Sequence, residues 1–132
     1  MYPDTTHILI ADDMPTMRQL IRGSLEGLGF KNFTVAFDGK EALEKLNVAN
    51  PPIQLIVSDW NMPNMSGFDF LKAVRADARF KGVPFLLVTT VDESSQVIDA
   101  IVAGADNYLL KPFTAEAIKE KLLGIYKKRG GK

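Results

Sequence analysis

The chain has 132 residues, 46% of them hydrophobic and 24% charged, which is the size and composition of one globular domain with a real core. Sixteen basic residues balance sixteen acidic ones, so no global basic field gathers nucleic acid or anionic lipid. The absence of cysteine excludes disulfides, thiolate catalysis and zinc–thiolate sites, and a single histidine, His7, excludes multi-histidine metal sites and argues against a Ser-His-Asp site.

Met1-Tyr2-Pro3-Asp4-Thr5-Thr6 has neither the basic patch nor the apolar run of a signal peptide. No apolar run approaches the roughly 20 residues of a membrane span. A cytoplasmic location and no membrane insertion are expected. His7-Ile8-Leu9-Ile10-Ala11 reads as a buried strand ending in Asp12-Asp13. Pro15 suits a first helical turn, Met17, Leu20, Ile21, Leu25 and Leu28 recur at helical spacing, and Gly29 stops the helix. Phe33 to Phe37 reads as a second strand. Asp38 then caps a helix with Ala42, Leu43 and Leu46 on its inner face. After the Asn50-Pro51-Pro52 loop, Ile53 to Ser58 forms the third strand, running into a lone Asp59. Pro63 keeps a helix from starting at once. Phe68, Leu71 and Val74 mark the third helix, and Gly82-Val83-Pro84 punctuates.

Phe85 to Thr89 is a fourth strand, apolar on both faces as a central parallel strand should be. Ser94 or Ser95 caps a helix carrying Val97, Ile98, Ile101 and Val102, and Gly104 ends it. Asn107 to Leu110 is the fifth strand, cut short by Lys111-Pro112. Thr114 caps the last helix, with Ala117, Ile118, Leu122 and Ile125 facing in, and Lys127-Lys128-Arg129 complements its negative end. Five βα units in strict alternation predict a single α/β domain: a parallel sheet with helices on both faces, joined by right-handed crossovers. A closed eight-stranded barrel needs about twice this length.

Parallel strands put all their carboxyl ends on one edge, where ligands bind in such sheets. There the sequence places Asp12, Asp13, Asp59, Thr89 and Lys111. Taken singly, each has a plain reading. Asp12-Asp13 serves as a helix-cap pair, Asp59 as a turn residue, Thr89 as a strand-end hydroxyl and Lys111 as a solvated charge. Tyr108 reads as half-buried packing, His7 as exposed, and Trp60 as a partly exposed aromatic beside the turn. Jointly they are a chemical set. Three clustered carboxylates repel, and burying them uncompensated is costly. Lys111 supplies one positive charge. A hard divalent cation supplies two, and an oxygen-only donor set selects magnesium or manganese. Such a site suits phosphoryl transfer, with a carboxylate as nucleophile.

Asp12-Asp13, the lone Asp59, Thr89 and Lys111-Pro112 resemble the receiver domain of two-component response regulators, over about residues 7 to 128. Ser58-Asp59-Trp60-Asn61-Met62-Pro63-Asn64-Met65 with Gly67, and Lys111-Pro112-Phe113-Thr114-Ala115, are especially similar to the chemotaxis branch of that family. The resemblance implies a flavodoxin-like, CheY-like doubly wound fold with strand order 2-1-3-4-5. It implies that Asp59 is the phosphoacceptor and that Asp12, Asp13, Asp59 and the Asn61 backbone carbonyl hold magnesium. Lys111 and Thr89 contact the phosphoryl group, and the Lys111–Pro112 bond is cis. Thr89 and Tyr108 form the switch, and Val97, Ile101, Tyr108 and Lys121 lie on the partner face of helix 4, strand 5 and helix 5. The implied donor is a sensor histidine kinase of the chemotaxis type. The implied output partner is the flagellar switch protein or another protein, with no direct contact to nucleic acid. On this view the chain is no turnover enzyme but a signalling phosphoacceptor that catalyses its own phosphorylation and slow dephosphorylation.

Four positions depart from the pattern: Val91 replaces a polar residue, Ser66 stands where many receivers have Asp, and Glu93-Ser94 replaces a basic pair. Met1 at the start and Lys132 just past the last helix favour a stand-alone receiver over one cut from a longer DNA-binding regulator. A magnesium-dependent aspartyl phosphohydrolase is a further alternative, but Asn61 stands where those enzymes carry an acid, and amide chemistry cannot do acid–base work. A flavodoxin-type cofactor binder lacks its Gly-rich phosphate loop after the first strand.

Overall fold

The computed structural model describes residues 1–90 and 96–131. The chain alternates strictly: β1 (His7–Ala11), α1 (Pro15–Gly27), β2 (Asn32–Ala36), α2 (Gly39–Val48), β3 (Leu55–Asp59), α3 (Gly67–Ala76), β4 (Phe85–Thr90), α4 (Val97–Ala103), β5 (Asn107–Lys111) and α5 (Ala115–Lys128). All strand pairs are parallel, in the order β2-β1-β3-β4-β5. Among the described residues no helix is long and apolar enough to cross a membrane.

The chain starts mid-sheet at β1, steps outward to β2, then reverses across β1 to β3. With right-handed crossovers this reversal sends helices to opposite faces. Strand side chains alternate between those faces. Leu9, Ile56 and Leu87 pack in one cluster with Ala42, Leu46, Phe70, Leu71, Val74 and Ala100 of α2, α3 and α4. Ile8, Ile10, Val57, Leu86 and Val88 pack in a second with Ile21 and Leu25 of α1 and Ile118, Leu122 and Ile125 of α5. The central strands are therefore buried on both sides.

The caps follow local chemistry. Asp38 Oδ1 accepts the Glu41 N–H at 2.7 Å, Ser66 Oγ accepts the Asp69 N–H at 3.1 Å, and Thr114 Oγ1 accepts the Ala117 N–H at 3.1 Å. Ser66 is thus a helix cap at its departure from the family pattern. Gly29 and Gly104 take positive φ at helix ends, 104° and 116°. The Ser94 or Ser95 cap, Val91 and Glu93-Ser94 lie outside the described residues.

Four expectations need correction. His7 is not exposed: it is 9% accessible, with Nδ1 2.8 Å from Pro51 O and Nε2 2.7 Å from Thr34 Oγ1. Trp60 is buried rather than partly exposed, because its ring stacks on Phe68 at 5.2 Å between centroids. Leu20 keeps the helical spacing of α1 but faces solvent, since the buried stripe is Ile21 and Leu25. The third strand begins at Leu55, and Ile53, though buried, precedes it.

Candidate metal centre

β1 and β3 are paired neighbours whose onward connections run to opposite sides of the sheet, and ligands bind at the carboxyl ends of strands at such a reversal point in open parallel sheets. β1 hands over to Asp12 with its N–H on Ala36 O at 3.0 Å. Asp12 Oδ1 then accepts the Met14 N–H at 2.9 Å, an Asx-type turn that sends the chain into α1. Asp59 ends β3, and its Oδ1 accepts the Trp60 N–H at 2.9 Å. Lys111 ends β5, followed by a cis bond to Pro112, as the resemblance implies.

These ends converge. Lys111 Nζ lies 3.0 Å from Asp59 Oδ1 and 3.5 Å from Asp12 Oδ2. One carboxylate oxygen from each of Asp12, Asp13 and Asp59 lies within 4.8 Å of the others. Asp12 is fully buried, Asp59 nearly so, and Asp13 is exposed at the mouth. Asp12 Oδ2 is buried with no partner in good hydrogen-bond geometry among the described residues, and the Lys111 ammonium meets it at the long distance of 3.5 Å.

The electrostatics show the strain of this arrangement. Burial, then the Asp12 charge, pushes the Asp59 carboxyl up to about 6 against the pull of Lys111. Burial likewise raises Asp12, opposed by the Met14 N–H and by Lys111. Burial works against the Lys111 ammonium, but its hydrogen bond and charge contact with Asp59, and then Asp12, outweigh it and hold the amine above its usual value. Three carboxylates facing one ammonium leave an excess of negative charge. The all-oxygen donors and the orphaned Asp12 oxygen fit a small hard dication.

The other anticipated residues fall around this centre. Thr89 is fully buried near the end of β4. In the β4–β5 register Leu87 pairs with Tyr108 and Thr89 with Leu110, so Thr89 and Tyr108 are diagonal neighbours on one face. Tyr108 is half-buried, with Lys121 Nζ 4.6 Å from its ring centroid. Asn61 is exposed in the loop after β3. On α4, Val97 is buried at 8% and belongs to the core, while Ile98 (74%), Ile101 (40%) and Val102 (83%) are exposed. Sequence reading missed Arg18, whose Nη1 donates to Asp12 O at 2.8 Å. Its only signal was its place one turn into α1. It also read Asp38 as a helix cap alone, whereas the Asn64 amide binds the second Asp38 oxygen at 2.7 Å.

Comparison with known proteins agrees with this geometry. The family model described as "Response regulator receiver domain" matches residues 8–123. The chain is 47% identical over 124 residues to the chemotaxis protein CheY of Pseudomonas aeruginosa, covering 94% of this chain and 98% of the relative. It is 45% identical over 115 residues to CheY1 of Helicobacter pylori, covering 87% and 92%. The high-resolution structure of the chemotaxis response regulator CheY4 of Vibrio cholerae superposes with a TM-score of 0.80 at 34% identity, covering 92% of this chain and 98% of that one. The chain belongs to the response regulator receiver domain family, of the CheY type.

Proposed function

We propose that Asp59 accepts a phosphoryl group from a sensor histidine kinase of the CheA type in a magnesium-dependent reaction. The observation that supports this is the convergence of Asp59 with Lys111 Nζ at 3.0 Å inside a cluster of three carboxylates. An Asp59 oxygen attacks phosphorus, the bond from phosphorus to the donor imidazole nitrogen breaks, and its electron pair stays on that nitrogen, which takes up a proton. An acyl phosphate results. The Lys111 ammonium, close to Asp59 and held charged, pairs with a phosphoryl oxygen. Asp12, Asp13, Asp59 and the Asn61 carbonyl would hold magnesium, which neutralises charge on the acceptor and the phosphoryl oxygens. With that charge beside it, the buried Asp59 carboxylate would be ionised and available as a nucleophile.

The Thr89 hydroxyl then bonds the phosphoryl group, and Tyr108 fills the space vacated. Phosphorylation can bias this equilibrium only through contacts that differ between its states, and the Thr89 bond is one. The α4–β5–α5 face is read by an output partner. The relatives named above are chemotaxis proteins, which supports a role in chemotaxis; on this reading the output partner is the flagellar motor switch and the protein acts in the cytoplasm. On this face a cleft of about 310 Å³ is lined by Tyr108, Pro112, Phe113, Ala117 and Lys121. With Val97 in the core, the apolar contacts of α4 are Ile98, Ile101 and Val102.

The test is intact mass after incubation with magnesium and acetyl phosphate, beside Asp59→Asn. A single labile adduct is expected in the parent only, lost when magnesium is chelated. An adduct that persists in Asp59→Asn moves the acceptor elsewhere.

A further inference from the structure

The loop over residues 60–66 leaves β3 beside Asp59 and returns to α3. Its base is closed by the Gly67 N–H on Trp60 O at 2.8 Å. A side chain at 67 would collide with the Asp59 carbonyl, so the closure is tight. The tip turns through Asn64, at φ 65°, the only non-glycine residue with positive φ among the described residues. The Met65 N–H reaches back to Pro63 O at 2.6 Å, an i to i+2 turn with a left-handed centre. Asparagine tolerates this left-handed conformation, so the turn is cheap, and its surroundings fix where the tip points.

Those surroundings are the N-terminus of α2. Asn64 Nδ2 donates to Asp38 Oδ2 at 2.7 Å, across 26 residues of sequence. The Gly39 N–H donates to Met65 O at 3.0 Å, and a Cβ at 39 would stand 2.6 Å from that same oxygen. Asp38 is buried, at 3% accessibility. Its other oxygen caps α2 through the Glu41 N–H at 2.7 Å, while Glu41 Oε1 accepts the Phe37 N–H at 3.0 Å. The donors from Glu41 and Asn64 keep this carboxyl below its usual value. Capping needs one oxygen, and Ser, Thr or Asn would serve it. The second oxygen, set against the loop tip, goes beyond what capping requires.

We propose that Asp38 and Asn64 are positioning residues: their hydrogen bond fixes the loop after β3, and so sets the Asn61 carbonyl and the Asp59 carboxylate for the divalent cation. The inference rests on the reading of Asp59 and its neighbours as a magnesium-dependent acceptor site. Magnesium demands near-ideal octahedral geometry, so a small displacement of one oxygen is costly. A loop tied at base and tip presents that oxygen already in place, while one tied only at its base must be ordered on binding.

The test is a magnesium titration followed by calorimetry and by fluorescence of Trp60, the single tryptophan and the neighbour of Asp59. The parent and Asp59→Asn come first. If the parent shows no Asp59-dependent binding, the acceptor-site reading falls and takes this inference with it. Given such binding, Asn64→Gly removes the amide yet accepts the positive φ without strain. Asp38→Asn leaves one oxygen for two facing donors. Each is expected to weaken magnesium binding about five- to tenfold, the loss of one hydrogen bond, with circular dichroism unchanged. Asp38→Asn combined with Asn64→Asp reverses donor and acceptor and is expected to return affinity to within about twofold of the parent. A merely structural role would not follow that exchange. Parent-like magnesium affinity in both single variants, or an exchanged pair that folds but binds as weakly as they do, would overturn the proposal.

Discussion

Asp59 carries a cost of burial that the proposed acceptor chemistry would account for. Folding holds its proton up to a pH of about 6, whereas an unstrained Asp releases it near 3.8. Between these values the folded state binds more protons than the unfolded one, so its contribution to stability falls as pH rises through that window and stays low above it. At about 1.4 kcal/mol per pH unit the loss reaches about 3 kcal/mol by pH 7. Asp59→Asn is therefore expected to stabilise the metal-free protein at pH 7 and to flatten its stability between pH 4 and 6. Urea unfolding with a chelator present measures this; equal slopes in parent and variant would refute it. Adding magnesium should then stabilise the parent and not the variant. The acid itself was legible in the sequence because a lone Asp after four strand-forming residues falls at the carboxyl edge of the sheet, where a solvated surface charge is out of place. His7 was not, because its partner Pro51 lies 44 residues away and no local pattern reports that contact.

At the scale of the elements, α4 shows what periodicity leaves open. Val97, Ile98, Ile101 and Val102 are all apolar, so the sequence alone does not say which side faces the sheet. Packing decides: Val97 and Ala100 turn inward, and the other three apolar residues cover exposed surface. Truncating Val97 to Ala should cost about 2 kcal/mol through loss of buried area and the cavity left behind. Ile98→Ser with Val102→Ser should leave stability within about 0.5 kcal/mol and weaken binding of the phosphorylated protein to its output partner. Denaturant midpoints and a partner pull-down separate the two roles; a stability loss from the serine pair as large as that from Val97→Ala would mean the helix is turned otherwise. The same ambiguity affected Leu20 on α1. The strands were read more accurately, since a central parallel strand buried on both faces is a continuous apolar run and needs no choice of face. The convergence of Asp12, Asp13, Asp59 and Lys111 was legible for a related reason: parallel pairing sends every strand's carboxyl end to one edge. The contact of Asp38 with the tip of the following loop was not, because a helix cap accounts for Asp38 fully until the fold brings Asn64 beside it.

Across the whole molecule, the two edges of the sheet treat their carboxylates in opposite ways, although Arg75 Nη1 at the amino edge is, like Asp12 Oδ2, buried without a hydrogen-bond partner among the described residues. At the carboxyl edge, three acids face one ammonium and an Asp12 oxygen is left without a hydrogen bond among the described residues. At the amino edge, Asp106 is surrounded by donors: Arg75 Nη2 at 3.1 Å, Arg129 Nε at 2.7 Å and Nη2 at 3.0 Å, and the Phe85 N–H at 2.8 Å. Arg75 also donates to Gly104 O at 2.9 Å, and Arg129 to Gly82 O at 2.8 Å. One carboxylate thereby ties α3, the end of α5 and the starts of β4 and β5. Removing it leaves two guanidinium groups facing each other without their counter-ion, and breaking such a partly buried network costs about 3 kcal/mol or more. Asp106→Ala should therefore lower Tm by roughly 10 °C while magnesium affinity, measured well below that Tm, stays at the parent's value. Asp59→Asn should do the reverse, raising metal-free stability and abolishing the metal response. If Asp106→Ala weakened magnesium binding as well, the sheet would be transmitting strain from one edge to the other, and the amino-edge network would have to be counted among the groups that set the proposed acceptor site.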